Sequence, residues 1–212
     1  MHKIGQNIVC AVIPAAGRSS RMGSFKPLLK FNEGITFIEK IVIEFLDFEC
    51  DEIVVVVNEE IYNSVWNDIL SKFEPKVSVI INNSLDLERF YSIKLGLSKL
   101  KNKHTCFIHN CDNPFINQNI LTSIFKNRTP DGYVKPTFNN HGGHPILISE
   151  PIINRIIQST ENDANFRDVL NSFPSKKINI ETKAVLTNIN NQLEYQRFVE
   201  SNSIANLGEE YL

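Results

Sequence analysis

The chain is poor in cysteine and in net charge. Its 212 residues include four cysteines, at positions 10, 50, 106 and 111, too few and too scattered for a disulfide framework in a chain of this size. The formal net charge is -2, so the chain as a whole has no general attraction for nucleic acid or for an anionic membrane. These shortages predict a reduced, globular protein whose partners are small molecules.

Long apolar runs are lacking as well. The run at 8–13 superficially resembles a signal peptide, but it is far shorter than the roughly 20 residues that cross a bilayer. Polar residues precede it, and Arg18 and Arg21 follow at once, which argues against a signal peptide. We therefore expect a cytoplasmic protein with no membrane partner, either a monomer or a homodimer.

The two best-known phosphate-binding motifs are also missing. No Gly-Lys-Ser/Thr follows a glycine-rich loop, and there is no GxGxxG. Instead, the apolar run at 8–13 leads into a loop of small residues at 15–20, with Arg21 and Lys26 close behind. Small residues let backbone N–H groups approach an anion closely, and the cations attract it. The segment is either a phosphate cradle or a solvated basic loop after a core strand.

Strand and helix patterns alternate through the first 127 residues. This alternation, with connections long enough for crossovers, predicts an α/β fold: a single Rossmann-like domain with a mostly parallel sheet and helices on both faces. The second half is less regular. Strands are predicted at 8–13, 52–57, 77–81, 105–109, 132–138, 145–149, 178–181 and 184–186, and helices at 37–46, 59–73, 87–100, 117–127, 151–158 and 163–170.

The loop AAGRSSRMGSFKPLL at 15–29 resembles the AAGxSxRMGxxKxLL signature of the MobA/MocA-like nucleotidyltransferases of molybdenum-cofactor maturation. This group stands beside the sugar-phosphate and methylerythritol-phosphate nucleotidyltransferases. The resemblance implies a nucleotide-diphospho-sugar transferase (GT-A-like) fold in one domain, 1–212. Residues 8–116 would form the nucleotide-binding half, and 117–212 the acceptor-binding half with the C-terminal helix. The matching positions are Gly17, Ser19, Arg21, Met22, Gly23, Lys26, Pro27 and Leu28.

The same resemblance implies roles for individual residues. Arg21, Lys26 and Asp112 would be catalytic, with the two cations stabilising the leaving pyrophosphate. Ser92 falls on the serine of the family's xxSxxxGL segment, although LDLE at 85–88 replaces the expected glycine-rich approach. On the residues alone, Ser92 is an ordinary polar position of an amphipathic helix. The implied nucleotide-binding set is Ala15, Ala16, Gly17, Arg18, Ser19, Lys26, Asn82 and Ser92.

Asp112 follows the fourth predicted strand directly. On the residues alone it either binds a hard divalent cation or caps a turn. Similarity to the family's DxPF segment implies Mg²⁺ or Mn²⁺ at this carboxylate. The segment 185–194 resembles (D/N)I(D/N)TPED, which implies Asn188 and Asn190 as further metal ligands, although Asn-Gln replaces Thr-Pro. On the residues alone, the segment from Asn188 to Asn190 is interpreted as a turn and the N-cap of the last helix.

The segment HGGHP at 141–145 resembles the GHP segment of the MocA-like branch. It implies that His141, Gly143 and His144 contact the acceptor, and the continuing resemblance adds Arg167. On the residues alone, the loop is as well explained by a hairpin connection, and Arg167 by a surface ion pair.

The implied activity is Mg²⁺-dependent transfer of NMP from an NTP to a phosphorylated acceptor, such as molybdopterin, with release of pyrophosphate. CTP is the favoured donor, because the GHP segment and the segment around Ser92 look like those of the cytidylyl-transferring branch. A sugar- or polyol-phosphate acceptor is an alternative. So is a non-catalytic nucleotide-binding domain. A glycosyltransferase would need a DxD-like pair, and residues 111–113 supply one carboxylate.

Overall fold

The computed structural model describes residues 8–18 and 22–209. Among them, no helix is long and apolar enough to cross a membrane. The strands are β1 (Cys10–Pro14), β2 (Glu52–Val57), β3 (Val77–Ile81), β4 (Thr105–Ile108), β5 (Tyr133–Phe138), β6 (His141–Gly142), β7 (Ile146–Ser149) and β8 (Ser175–Asn179). The α-helices are α1 (Phe37–Asp47), α2 (Glu59–Val65), α3 (Glu88–Lys99), α4 (Gln118–Lys126), α5 (Glu150–Ile157), α6 (Phe166–Asn171) and α7 (Gln192–Glu209).

One sheet in the order β3-β2-β1-β4-β7-β5-β6 forms the centre of the fold, and β8 pairs with β5. The first four strands are parallel to their neighbours, with Cys10 opposite both Glu52 and Cys106. β7 runs antiparallel to β4 and to β5, so the second half of the sheet is mixed. The predicted α/β class is confirmed.

Alternating side chains of β1 serve two separate cores, one on each face of the sheet. Ala11 and Ile13 pack with α1, α2 and α4, whereas Val12 packs with α3 and α5. Because the strand is buried on both faces, its sequence is a continuous apolar run. At Gly96 a Cβ atom would lie 2.4 Å from Val12 Cγ1, so glycine lets α3 rest directly on β1.

The second half departs from the sequence prediction in three places. One is the helix predicted at 163–170, which begins three residues later, at Phe166. The predicted strand at 184–186 is wrong, because Lys183–Leu186 is a 3₁₀ helix in which Thr182 Oγ1 accepts a hydrogen bond from the Ala184 N–H. This helix closes over Gly143, where a Cβ atom would lie 2.2 Å from the Val185 carbonyl oxygen. The strand predicted at 178–181 begins three residues earlier, at Ser175.

Helix α7 is anchored beside the loop that follows β1. An aromatic cluster of Phe31, Phe37, Phe115, Tyr195 and Phe198 holds it there. The Tyr195 hydroxyl donates to the carbonyl oxygen of Lys30 and accepts from its N–H, both at 3.1 Å. The segment that enters α7 is thereby fixed next to the segment carrying Lys26.

Candidate active site

A cleft of about 380 Å³ opens beside the loops that follow β1, β3 and β4. In open α/β sheets, ligands bind outside the carboxyl ends of the strands, which is where these loops lie. Most of the predicted donor-site residues converge on this donor cleft. Those that line it are Ala15, Ala16, Gly17, Lys26, Asn82, Ser92, Asp112 and Asn190.

The backbone of the loop after β1 is held from the side of β2. The Ala15 N–H donates to the Val56 carbonyl oxygen at 2.7 Å, and the Asn58 amide donates to the Ala16 carbonyl oxygen at 3.3 Å. A Cβ atom on Gly17 would meet nothing within 4 Å, so the backbone is open there. The predicted residues Ser19 and Arg21 lie outside the described residues.

Arg18 lies apart from the residues that line the donor cleft. Its guanidinium forms an ion pair with Asp86 at 3.6 Å, and both side chains are largely exposed. An exposed pair of this kind contributes little stability. Arg18 therefore connects two loops beside the cleft, and its predicted contact with the nucleotide remains a prediction.

Lys26, Asp112 and Asn190 come from three distant segments and meet in the donor cleft. Lys26 Nζ lies 3.4 Å from Asp112 Oδ2 and 3.4 Å from Asn190 Oδ1. Lys26 begins the 3₁₀ turn Lys26–Leu28, in which Pro27 is buried. The side chains of Lys26 and Asp112 are 17% and 21% exposed, so solvent screens the charges less than at an open surface. The pair brings a cation and a carboxylate to one wall of the cleft.

Two oxygen atoms of the segments that meet here have no hydrogen-bond partner among the described residues. They are the buried Asp112 Oδ1 and Asn188 Oδ1. The Ile189 N–H donates to the Asp112 carbonyl oxygen at 2.8 Å, which brings the two segments together. Carboxylate and amide oxygens suit Mg²⁺ and Mn²⁺. The described residues hold no cluster of three or more His, Cys, Asp or Glu side chains able to bind a metal. A cation here would therefore need phosphate oxygens or water as well.

Asn82 and Ser92 fix one another deep in the donor cleft. The Asn82 side-chain amide donates to Ser92 Oγ at 3.0 Å, and Asn82 Oδ1 accepts from the Ser84 N–H at 2.8 Å. Both residues are almost fully buried. They form a polar floor between the loop after β3 and helix α3.

Comparison with known proteins decides the family. Residues 11–178 match the model of the MobA-like NTP transferase domain, which is most of the chain. The chain belongs to this family. It is a nucleotidyltransferase, and the donor cleft at the carboxyl edge of the sheet is the candidate active site of this NTP transferase.

Two relatives and one solved structure show how far the similarity extends. The molybdenum cofactor cytidylyltransferase of Escherichia coli K12 is 29% identical over 180 residues, which cover 84% of this chain and 88% of that protein. The 2-C-methyl-D-erythritol 4-phosphate cytidylyltransferase of Thermosipho africanus is 32% identical over 57% of this chain and 54% of its own length. A nucleotidyl transferase from Methanothermobacter thermautotrophicus has a TM-score of 0.75 at 21% identity, covering 92% of this chain and 100% of that one. This last similarity supports the fold.

One cation that lines the donor cleft, Arg89, was not predicted from the sequence. It lies in the first turn of α3, and its guanidinium lies 5.6 Å from the centre of the Phe166 ring. Its Nε and Nη2 are buried and have no hydrogen-bond partner among the described residues. Burial lowers the pKa of Arg89, and Asp112 opposes that shift, but an arginine remains charged. Its position three residues before Ser92, hence on the same helix face, was the available signal.

A second cleft, of about 700 Å³, shares Glu88 and Arg89 with the donor cleft. Of the predicted acceptor residues, His144 and Arg167 line it. Gly143 is buried beneath Val185, where it permits a close backbone approach. The structure thus brings two of the four predicted acceptor residues to a common cleft.

His141, the remaining acceptor candidate, is exposed in the hairpin that joins β5 to β6. Its Nδ1 lies 2.8 Å from the Asn139 carbonyl oxygen. Asn139 and Asn140 form the turn with φ angles of 48° and 64°, a conformation that asparagine tolerates. The hairpin explanation of this segment therefore holds for His141, and its contact with an acceptor stays a prediction.

The titratable groups behind the clefts are neutral near pH 7. Burial lowers the pKa of His109 to about 4, and its Nε2 donates to the Asn113 carbonyl oxygen at 2.7 Å. Burial, with the charge of Arg89, also lowers the pKa of His144. Burial raises the pKa of the Cys111 thiol to about 12. These groups are therefore unsuited to supply a charged acid or a nucleophile, and the charged side chains that line the donor cleft include Lys26, Arg89 and Asp112.

Proposed function

We propose that this NTP transferase moves a cytidylyl group from CTP to a phosphorylated acceptor and releases pyrophosphate, with Mg²⁺ or Mn²⁺ bound at Asp112. The observation that carries the proposal is the meeting of Lys26 with Asp112 next to the unpartnered oxygens of Asp112 and Asn188. An oxygen of the acceptor phosphate bonds to the donor α-phosphorus. The bond from that phosphorus to the bridging oxygen breaks, and pyrophosphate leaves with the electron pair.

The residues of the donor cleft suit this displacement. Asp112 and Asn188 would hold the cation, which when bound supplies positive charge to the phosphate oxygens. Lys26 offsets the charge that grows on the leaving pyrophosphate, and the loop at 15–18 positions the triphosphate. A phosphate monoester is an anionic nucleophile, so it needs no general base. This agrees with the lowered pKa values of His109 and His144, which make both histidines weak bases. Ser19 and Arg21 belong to the proposed triphosphate site through the family resemblance.

CTP is favoured as donor because both curated relatives are named cytidylyltransferases. Asn82 and Ser92 supply the polar floor that a base and ribose need. The acceptor would enter the second cleft beside His144 and Arg167. Similarity to the Escherichia coli relative supports molybdopterin as the acceptor, and similarity to the Thermosipho africanus relative supports a polyol phosphate. In this assignment residues 8–116 form the donor half and 117–212 the acceptor half.

A thermal-shift comparison of ATP, CTP, GTP and UTP, with and without Mg²⁺, tests the donor. A ligand at a hundred times its Kd stabilises the native state by about 2.7 kcal/mol, which raises the Tm of a domain of this size by roughly 5–10 °C. We expect this shift with CTP and Mg²⁺, and a much smaller one when either is omitted. Larger Mg²⁺-dependent shifts with another nucleotide would reassign the donor, and no shift with any nucleotide would refute the proposal.

Replacing Asn188 and Asn190 separately tests which amide completes the metal site. Asn188→Ala is expected to raise the Mg²⁺ concentration for half-maximal pyrophosphate release about tenfold or more, because it removes an oxygen with no other partner. Asn190→Ala removes a partner of Lys26, so its main effect should be on kcat at saturating Mg²⁺. The reverse pattern in a Mg²⁺ titration of the two variants would place the ligand at Asn190.

A further inference from the structure

The wall of the second cleft away from the donor cleft carries three cations. Lys135 on β5 and Lys177 on β8 are opposite one another in the parallel register of the two strands. Arg167, in the first turn of α6, lines the same cleft. Glu88 is the one carboxylate residue among the residues described as lining it, and it is exposed at the boundary with the donor cleft. We call Lys135, Arg167 and Lys177 the distal basic cluster.

The charges of Arg167 and Lys177 act on Lys135. Burial lowers the pKa of Lys135, and these two charges lower it further. None of the three side chains takes part in a salt bridge within the described part of the chain. Like charges held together in a concave surface favour the binding of an anion, which removes the repulsion.

The position of the Lys135 side chain depends on a glycine. A Cβ atom at Gly142 would lie 2.1 Å from Lys135 Cε and 2.6 Å from Nζ, so the side chain lies over this residue. Gly142 is thus the place on β6 where a side chain would push Lys135 out of its position. Gly142, the first glycine of the GG pair, therefore has a separate role from Gly143, which packs beneath Val185.

The distal basic cluster is separate from the cation at the reacting phosphate. Arg89 lines both clefts and is coupled electrostatically to Asp112, whereas Lys135, Arg167 and Lys177 line the second cleft and not the donor cleft. His144 lines the second cleft with both groups, and the charges of Arg89 and Lys135 act on it. An acceptor phosphate that attacks the donor must lie next to Arg89 and Asp112. The distal basic cluster is therefore available to bind a different group of the acceptor.

We propose that the acceptor carries a second anionic group, separate from the attacking phosphate, and that Lys135, Arg167 and Lys177 bind it. The assignment of this anion to the acceptor rests on the proposed function, whereas anion binding by the three cations does not depend on a bound donor nucleotide. The proposed substrate class is a molecule with two anionic groups, joined by a spacer that crosses the cleft past His144.

A series of α,ω-alkane bisphosphonates of increasing chain length, each compared with the alkylphosphonate of equal length, tests the proposal. Binding is measured by calorimetry on the full chain without nucleotide. We expect one spacer length to bind about 10- to 100-fold more tightly than its monophosphonate, because the second phosphonate then binds at a high effective concentration. Lys135→Gln and Lys177→Gln should each remove most of this advantage.

Lys176→Gln is the matched control for Lys177→Gln. It removes the same charge from the adjacent residue of β8, which is exposed and outside the second cleft. The control should keep the full bisphosphonate advantage. Should Lys135→Gln fail to fold, the exposed Lys177 still gives the decisive comparison. No chain length with an advantage, or an advantage that survives both Lys135→Gln and Lys177→Gln, overturns the inference.

Pyrophosphate release with CTP, Mg²⁺ and a phosphorylated acceptor separates failure of the inference from failure of the proposed function. Nucleotide binding and turnover without any bisphosphonate advantage would leave the transferase assignment standing and remove the distal site. A spacer-dependent advantage that is lost in the lysine variants, in a protein that binds no nucleotide, would keep the anion site and reject the donor assignment.

Discussion

Asp112→Asn is expected to lower the rate of pyrophosphate release on the order of a thousandfold at saturating CTP. The substitution keeps the shape of the side chain but removes its negative charge. The side chain at position 112 then no longer attracts a divalent cation, and the ion pair of Asp112 with Lys26 Nζ, 3.4 Å away, is lost. The rate is measured in a coupled pyrophosphate assay over a range of Mg²⁺ concentrations, and part of the loss should return at high Mg²⁺.

The same variant should remain folded. The Asp112 contact that joins two segments uses the backbone carbonyl oxygen, which accepts from the Ile189 N–H and is unchanged by the substitution. Asp131→Asn is the matched control, because Asp131 is exposed in the connection before β5 and lies outside both clefts. An Asp112→Asn protein with more than about a tenth of the wild-type rate would show that this carboxylate does not hold the catalytic cation.

The parallel half of the fold could be predicted from the sequence because its strands are short continuous apolar runs. β2 and β3 occur at the predicted residues, since runs such as EIVVVV have no competing helical period. The segment at 184–186 failed because three apolar residues are too few to distinguish a strand from a 3₁₀ turn. What decided it was a contact distant in sequence, between the Val185 carbonyl oxygen and the His144 N–H.

The donor cleft was predictable only in part, because a local motif does not report which groups are already satisfied. The family resemblance offered Asn188 and Asn190 equally. The structure pairs Asn190 with Lys26, whereas Asn188 Oδ1 has no hydrogen-bond partner within the described part of the chain. Arg89 was not predicted, because the family's segment marks the serine position, Ser92, and not the residue one turn before it. Its importance depends on burial against α6, which no spacing within α3 reveals.

The distal basic cluster was beyond sequence analysis for a different reason. Lys135 and Lys177 are 42 positions apart, and they meet only through the register of β5 with β8. The strand predicted at 178–181 began after Lys177, so the pairing could not be derived. Long-range register depends on packing that a single sequence does not encode locally.

Lys26→Met is the second variant with a large expected effect. It keeps an unbranched apolar side chain but removes the positive charge beside Asp112 and Asn190. We expect kcat for pyrophosphate release to fall about 100- to 1,000-fold, because the charge on the leaving group is then less well neutralised. Lys26→Arg should restore part of the rate. Lys30→Met is the control, since the Lys30 side chain is exposed and only its backbone bonds to Tyr195.

The Mg²⁺ dependence of Lys26→Met distinguishes loss of charge from general damage to the site. Lys26 Nζ lies against the carboxylate that would hold the cation, so its charge opposes metal binding. Removing that charge should lower the Mg²⁺ concentration for half-maximal rate, even though the maximal rate falls. Asp112→Asn should raise that concentration. Distortion of the cleft would weaken metal binding in both variants, so a shift in the same direction for both would contradict the opposed roles proposed for Lys26 and Asp112.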